Sequence, residues 1–139
     1  MSEKVHELRP KGGDAEKITI NLGYVDLGQI DLLVQEGFYS NRTDFIRTAI
    51  RNLLDRHADV VRRSVTRQSL DLGLRQFSRA DLEDAQARGE MLHIQVLGLA
   101  RIAPDVTPEL ARATIASIAV LGALQASPAV KAALADRIR

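Results

Sequence analysis

The chain has no cysteine and no tryptophan, and only 4% of its 139 residues are aromatic. The first absence excludes disulfides, thiolate-bound zinc and cysteine nucleophiles together. The shortage of aromatics leaves Ile, Leu, Val and Ala to build the core. No N-terminal apolar run resembles a signal peptide, and no stretch is long enough to span a bilayer. The expectation is a soluble cytoplasmic protein with no membrane partner. Charge of one sign is also lacking: 19 Lys+Arg stand against 18 Asp+Glu, for a net +1. That balance argues against a chain that coats nucleic acid by bulk charge. A local basic face is not excluded, because affinity for DNA depends on the few phosphates a protein touches. Arg47, Arg51, Arg56, Arg62, Arg63 and Arg67 are opposed in their span only by Asp55 and Asp59.

Catalytic constellations are missing as well. His6, His57 and His93 are scattered, and none has a ligand partner at metal spacing. No serine has an evident base beside it in sequence. Gly12-Gly13 and Gly98 do not form phosphate loops. The expectation is no catalytic residue, no metal and no cofactor.

Residues 1–16 are polar, with Pro10 and Gly12-Gly13, and read as a flexible arm. Residues 17–22, Lys-Ile-Thr-Ile-Asn-Leu, alternate strictly. Ile18, Ile20 and Leu22 share one face, and Lys17, Thr19 and Asn21 the other. No second strand follows within reach of a hairpin. A lone strand leaves its ladder groups unpaired, which is costly unless a partner supplies them. The nearest candidate is the same strand of a second copy.

Leu27, Ile30, Leu33 and Val34 then recur at helical spacing over residues 24–36, and Gly37 stands where a left-handed stop belongs. Asn41 with Asp44 reads as an N-cap and an acidic third helical residue. The helix that follows carries Phe45, Ile46, Ala49, Ile50, Leu53 and Leu54 on one stripe. It reaches His57 and extends toward Arg63.

The ordered set from Lys17 to His57 resembles the ribbon-helix-helix family of bacterial and archaeal regulators, of the CopG/Arc/MetJ type. The alternating strand closed by Leu22, the glycine between helices, and the run Phe45-Ile46-Arg47…Ala49-Ile50-Arg51 carry the resemblance. Thr43 and Asp44 stand where that family usually has serine and glutamate. The resemblance implies a homodimer whose two strands pair into an antiparallel ribbon backed by four helices. Its shared core would hold Ile18, Ile20, Leu22, Ile30, Leu33, Phe45, Ile46 and Ile50. The ribbon would enter the major groove of double-stranded DNA, with Lys17, Thr19 and Asn21 at base edges. Ser40, Asn41, Arg42 and Thr43 match the helix start that grips a phosphate in the family.

Residues 70–139 lie outside that minimal unit and are not assigned to a family. They repeat internally. Val96–Ala111 aligns with Val120–Ala135 at an offset of 24, matching Gly98 to Gly122, Pro104 to Pro128, Val106 to Val130 and Leu110 to Leu134. A weaker copy places Gly73 one offset of 25 earlier. Each unit has a β-prone run (Leu70–Leu74, Leu92–Leu99, Ile115–Leu121), then a helix start at Ser78, Thr107-Pro108 or Ser127-Pro128. The grammar is that of a solenoid-like β/α stack. A compact βαβ ligand-binding domain and a chance similarity are the alternatives.

The expected class is thus α+β: a ribbon-helix-helix dimer followed by a β/α solenoid-like repeat domain. The arm covers 1–16, the DNA-binding domain 17–63, a linker 64–69 and the repeat domain 70–139. The function expected is a dimeric, sequence-specific repressor whose second domain joins dimers into tetramers or larger assemblies through exposed strand edges. Three alternatives stand beside it: an antitoxin that binds a toxin protein, an architectural or segregation protein that coats DNA with the same fold, and a regulator that senses a small ligand through residues 70–139.

Overall fold

The computed structural model describes residues 15–139 and divides them into two units, 15–63 and 64–139. The arm's residues 1–14 lie outside the described residues.

In the first unit, residues 15–23 form no helix and no ladder. Helix α1 spans Tyr24–Gln35 and α2 spans Arg42–Arg56. Gly37, at φ +90, ends α1. The Phe38 N–H donates to the Leu33 carbonyl and the Gly37 N–H to the Val34 carbonyl, each at 3.0 Å. This paired closure satisfies carbonyls that a helix end would otherwise orphan. Asn41 starts α2: its side chain accepts the Asp44 N–H at 2.8 Å. Helix α3 covers Ala58–Gln68. The expected linker at 64–69 is therefore helical through Gln68. The same paired closure ends α3, from Leu70 to Val65 and from Ser69 to Thr66. Here the left-handed position is filled by Ser69, at φ +54, rather than by glycine.

In the second unit, strands and helices alternate: β1 (Asp71–Phe77), α4 (Arg79–Ala87), β2 (Leu92–Ile102), α5 (Pro108–Thr114), β3 (Ile115–Gln125) and α6 (Pro128–Ala133). The three strands form one parallel sheet in the order β1-β2-β3. Parallel neighbours need a crossover, and a helix supplies each one. The three helix starts are those the sequence marks. Ser78, Thr107 and Ser127 each accept an N–H three residues on, from Asp81, Leu110 and Val130. The repeat offsets are also the sheet register: Gly73 stands beside Gly98, and Gly98 beside Gly122.

Each strand continues three or four residues past the expected end, to Phe77, Ile102 and Gln125. The glycines do not stop the strands. They adopt φ of +114, +139 and +122, and the ladder runs through them. A Cβ at Gly98 would lie 2.3 Å from the Gly73 carbonyl oxygen, and one at Gly122 would lie 2.0 Å from that of Gly98. Only glycine permits both that dihedral and that approach.

Ile94, Val96, Ala100 and Ile102 of β2 alternate into a buried cluster with Phe77, Ile115 and Ile118. Leu82, Val106, Leu110, Val130 and Leu134 close the same cluster from the helix side. One face of the sheet is thus covered by helices. Beyond β3, the Ile118 N–H donates to Arg137 and the Arg139 N–H to Ile118, so Ile138 bridges that outer edge.

Candidate nucleic-acid interface

The first unit leaves most of its apolar side chains in water. Ile30 is its one buried apolar residue among those described. Leu33, Phe45 and Ile46 are half-buried. Ile18 is 73% exposed, Ile20 58% and Ile50 48%. Leu22, Leu53 and Leu54 are exposed too. Ile20, Leu22, Ile30, Leu33, Phe45 and Ile46 line one open groove of about 410 Å³. The residues expected in a shared dimer core are thus gathered on one surface, with Ile18 and Ile50 exposed in the same unit. Lys17, Thr19 and Asn21 are exposed on the segment that leads into it.

At the start of α2, the local chain geometry fixes four residues. Asn41 is extended, at φ −168, and caps the helix. The Asp44 carboxylate accepts the Ser40 N–H at 2.9 Å. The Tyr39 ring meets Phe45 edge-on at 5.0 Å, anchoring this turn. The first-turn N–H groups of Arg42 and Thr43 remain at the positive end of the helix.

Two carboxylates alter the electrostatics of that end. Arg42 is held by Asp31 of α1 in a two-point ion pair, with both N–O distances 2.8 Å. The hydrogen bond from Arg42 holds the Asp31 carboxyl below its ordinary value. Half of each side chain is exposed, so water screens the pair. Asp44 in turn occupies the Ser40 amide and adds negative charge. Sequence reading missed Asp31, because it lies eleven positions before Arg42 on a different helix and only the packing of α2 against α1 joins them.

Basic side chains continue along the exposed surface of α2 and α3. Arg62 pairs with Asp59 at 2.7 Å. Arg67 reaches the Ser64 hydroxyl at 3.4 Å. In the second unit His93 bonds the Ser117 hydroxyl at 2.9 Å. Among the described residues no group of three or more His, Asp or Glu could hold a metal ion. No described helix is long and apolar enough to cross a membrane.

Residues 13–131 match the Ribbon-Helix-Helix transcriptional regulator family. The chain belongs to this family. The match runs well past the residues 17–57 that carry the resemblance in sequence, through the parallel sheet to α6. The chain is also similar to the Transcriptional regulator CdrS of Halobacterium salinarum. That similarity is 30% identity over 44 residues, 32% of this chain and 80% of the relative. No solved structure matches. The chain is accordingly a transcriptional regulator of the ribbon-helix-helix type.

Proposed function

We propose that this regulator acts as a homodimeric, sequence-specific repressor that places an intermolecular β-ribbon in the major groove. The observation that carries this reading is the exposed, alternating segment Lys17–Leu22 beside an open apolar groove. Ile18, Ile20 and Leu22 have the spacing of one strand face and remain in water in a single chain. Pairing with the same segment of a second copy would complete the backbone ladder and cover the groove at once. Lys17, Thr19 and Asn21 would then project together from the ribbon. Lys17 suits guanine O6 or N7, Asn21 the bidentate pattern of adenine, and Thr19 a hydrogen bond or a thymine methyl.

Ser40, Asn41, Arg42 and Thr43 would contact a phosphate at the start of α2. The Arg42 and Thr43 amides are the donors best placed for it. Arg42 would have to release Asp31, or share it, to add its charge. Residues 70–139 form the assembly part, and we read their three strand–helix units as a solenoid-like stack. The buried cluster of this part is complete within the chain. That argues against a tail that waits for a toxin in order to fold.

Selection of binding sites from random DNA tests the reading. The wild type should enrich one operator, and Thr19→Ala and Asn21→Ala should relax it at separate base positions. A good base contact is worth about 1–3 kcal/mol, so discrimination at each position should drop roughly tenfold. Unchanged site preference in both variants would remove the ribbon from the interface.

A further inference from the structure

The helices cover one face of the parallel sheet, and the opposite face presents leucine. By strand alternation and register, Leu72, Leu97 and Leu121 form one row across the three strands, and Leu74, Leu99 and Ala123 the next. Leu72 is 71% exposed, Leu121 58% and Leu74 49%. Polar rungs bound these rows at both ends. At one end stand Gln95, beside Ala119, and beyond it the bonded His93 and Ser117; at the other, Arg101 donates to Gln125 at 2.9 Å. Arg101 is the single charged residue among the described sheet residues of this face. An apolar centre between polar margins is the anatomy of a protein interface.

We infer that this face docks against the same face of a second copy of the chain. A pattern that is apolar in the middle and polar at both ends meets itself well under two-fold symmetry, leucine on leucine and polar rung on polar rung. Two sheets packed this way lie ~10 Å apart with their side chains interleaved. Size points to the same occupant. Three strands at ~4.8 Å spacing and eleven residues in β2 give a face on the order of 500 Å². A free-standing interface takes ~800 Å² from each partner. This face is therefore too small to capture an untethered partner and suited to a copy already held nearby. The inference rests in that respect on the proposed ribbon dimer, which supplies such a copy.

The chain has no cysteine, so a single introduced thiol is a unique probe. Full-length Leu97→Cys, at the centre of the face, should form covalent dimers with a short bis-maleimide. The yield should be several-fold above that of Glu83→Cys on the exposed side of α4. Adding Leu72→Asp and Leu121→Asp, at positions more than half exposed, should return Leu97→Cys to the control level. Equal yields from Leu97→Cys and Glu83→Cys would overturn the inference, as would cross-linking that survives the two aspartates. A mass of two chains supports pairing within the ribbon dimer, and a cross-link that joins separate dimers into a mass of four would overturn it. Operator binding on the same samples separates this inference from the functional reading. Binding without the cross-link overturns the sheet pairing alone. The cross-link without operator binding overturns the DNA reading and leaves the pairing in place.

Discussion

Among single residues, the glycine column of the sheet makes the sharpest demand. Gly73, Gly98 and Gly122 share a positive φ, yet only at the latter two would an added Cβ meet a neighbouring carbonyl oxygen, at 2.3 Å and 2.0 Å. A Cβ at Gly73 would have nothing within 4 Å. Gly98→Ala and Gly122→Ala should therefore cost clearly more than Gly73→Ala, which bears only the dihedral strain of about 1–2 kcal/mol. Urea unfolding of the three variants measures the order, and equal losses would mean that the close approach does not matter. Ser69 is the reverse case, a residue with a Cβ in a left-handed helix stop. Ser69→Gly should stabilise by about 0.5–1 kcal/mol in the same measurement. A third residue governs charge. Asp31→Asn removes the carboxylate that holds Arg42 and so frees one cation beside the proposed phosphate site. Operator affinity should rise several-fold, and the slope of log affinity against log salt should steepen by about one unit. No change in either quantity would place Arg42 away from the phosphate.

At the scale of elements, helix starts were the most legible feature of the sequence. Ser78, Thr107-Pro108 and Ser127-Pro128 each become an N-cap with its bond made. The repeat offset was legible as well, because stacked parallel strands convert a sequence period into a register. The ends of the strands were not. Past Leu74, Leu99 and Leu121 the apolar pattern is interrupted by Arg75 and Gln76, by Arg101 and by Gly122, whereas the backbone keeps pairing to Phe77, Ile102 and Gln125. The last turns of helix α3, past Arg63, were hidden for a different reason. Its valines, Val60, Val61 and Val65, give too narrow a stripe among arginines to distinguish a helix from a linker. Elements are also where acid acts. The backbone and side-chain hydrogen bonds of Ser78 hold the Asp81 carboxyl below its ordinary value. The Arg112 hydrogen bond does the same for Asp136. A carboxyl depressed in the folded state stabilises above its unfolded value of ~3.9, and loses that contribution as pH falls through the folded value. The sheet unit should thus lose stability below about pH 4. Asp81→Asn and Asp136→Asn should each flatten that loss when thermal midpoints are compared across roughly pH 2–6.

The whole molecule contrasts two ways of making a core. Residues 64–139 close theirs within one chain: Leu82, Val96, Ile115, Ile118, Val130 and Leu134 are each at most 1% exposed. Residues 15–63 bury Ile30 and leave Ile18, Ile20, Ile50, Leu53 and Leu54 in water. The sequence announced that asymmetry through the alternating segment Lys17–Leu22, which has no partner in its own chain. It could not show how little of α1 and α2 a single chain covers, because the helical stripes look alike whether the neighbour is the same chain or another. Stability should split along the same line. A unit completed by a second copy gains free energy from association, so its melting temperature rises with protein concentration. A unit with its own core has no such dependence beyond what its leucine face adds. Calorimetry over a hundredfold range of concentration should therefore resolve two transitions. The one belonging to residues 15–63 should climb by several degrees, while the sheet transition moves far less. Leu22→Ala, at the edge of the groove, should lower the first and spare the second. If the first transition stayed fixed over that range, the exposed apolar residues of 15–63 would not be covered by a second copy, and the ribbon would lose its physical basis.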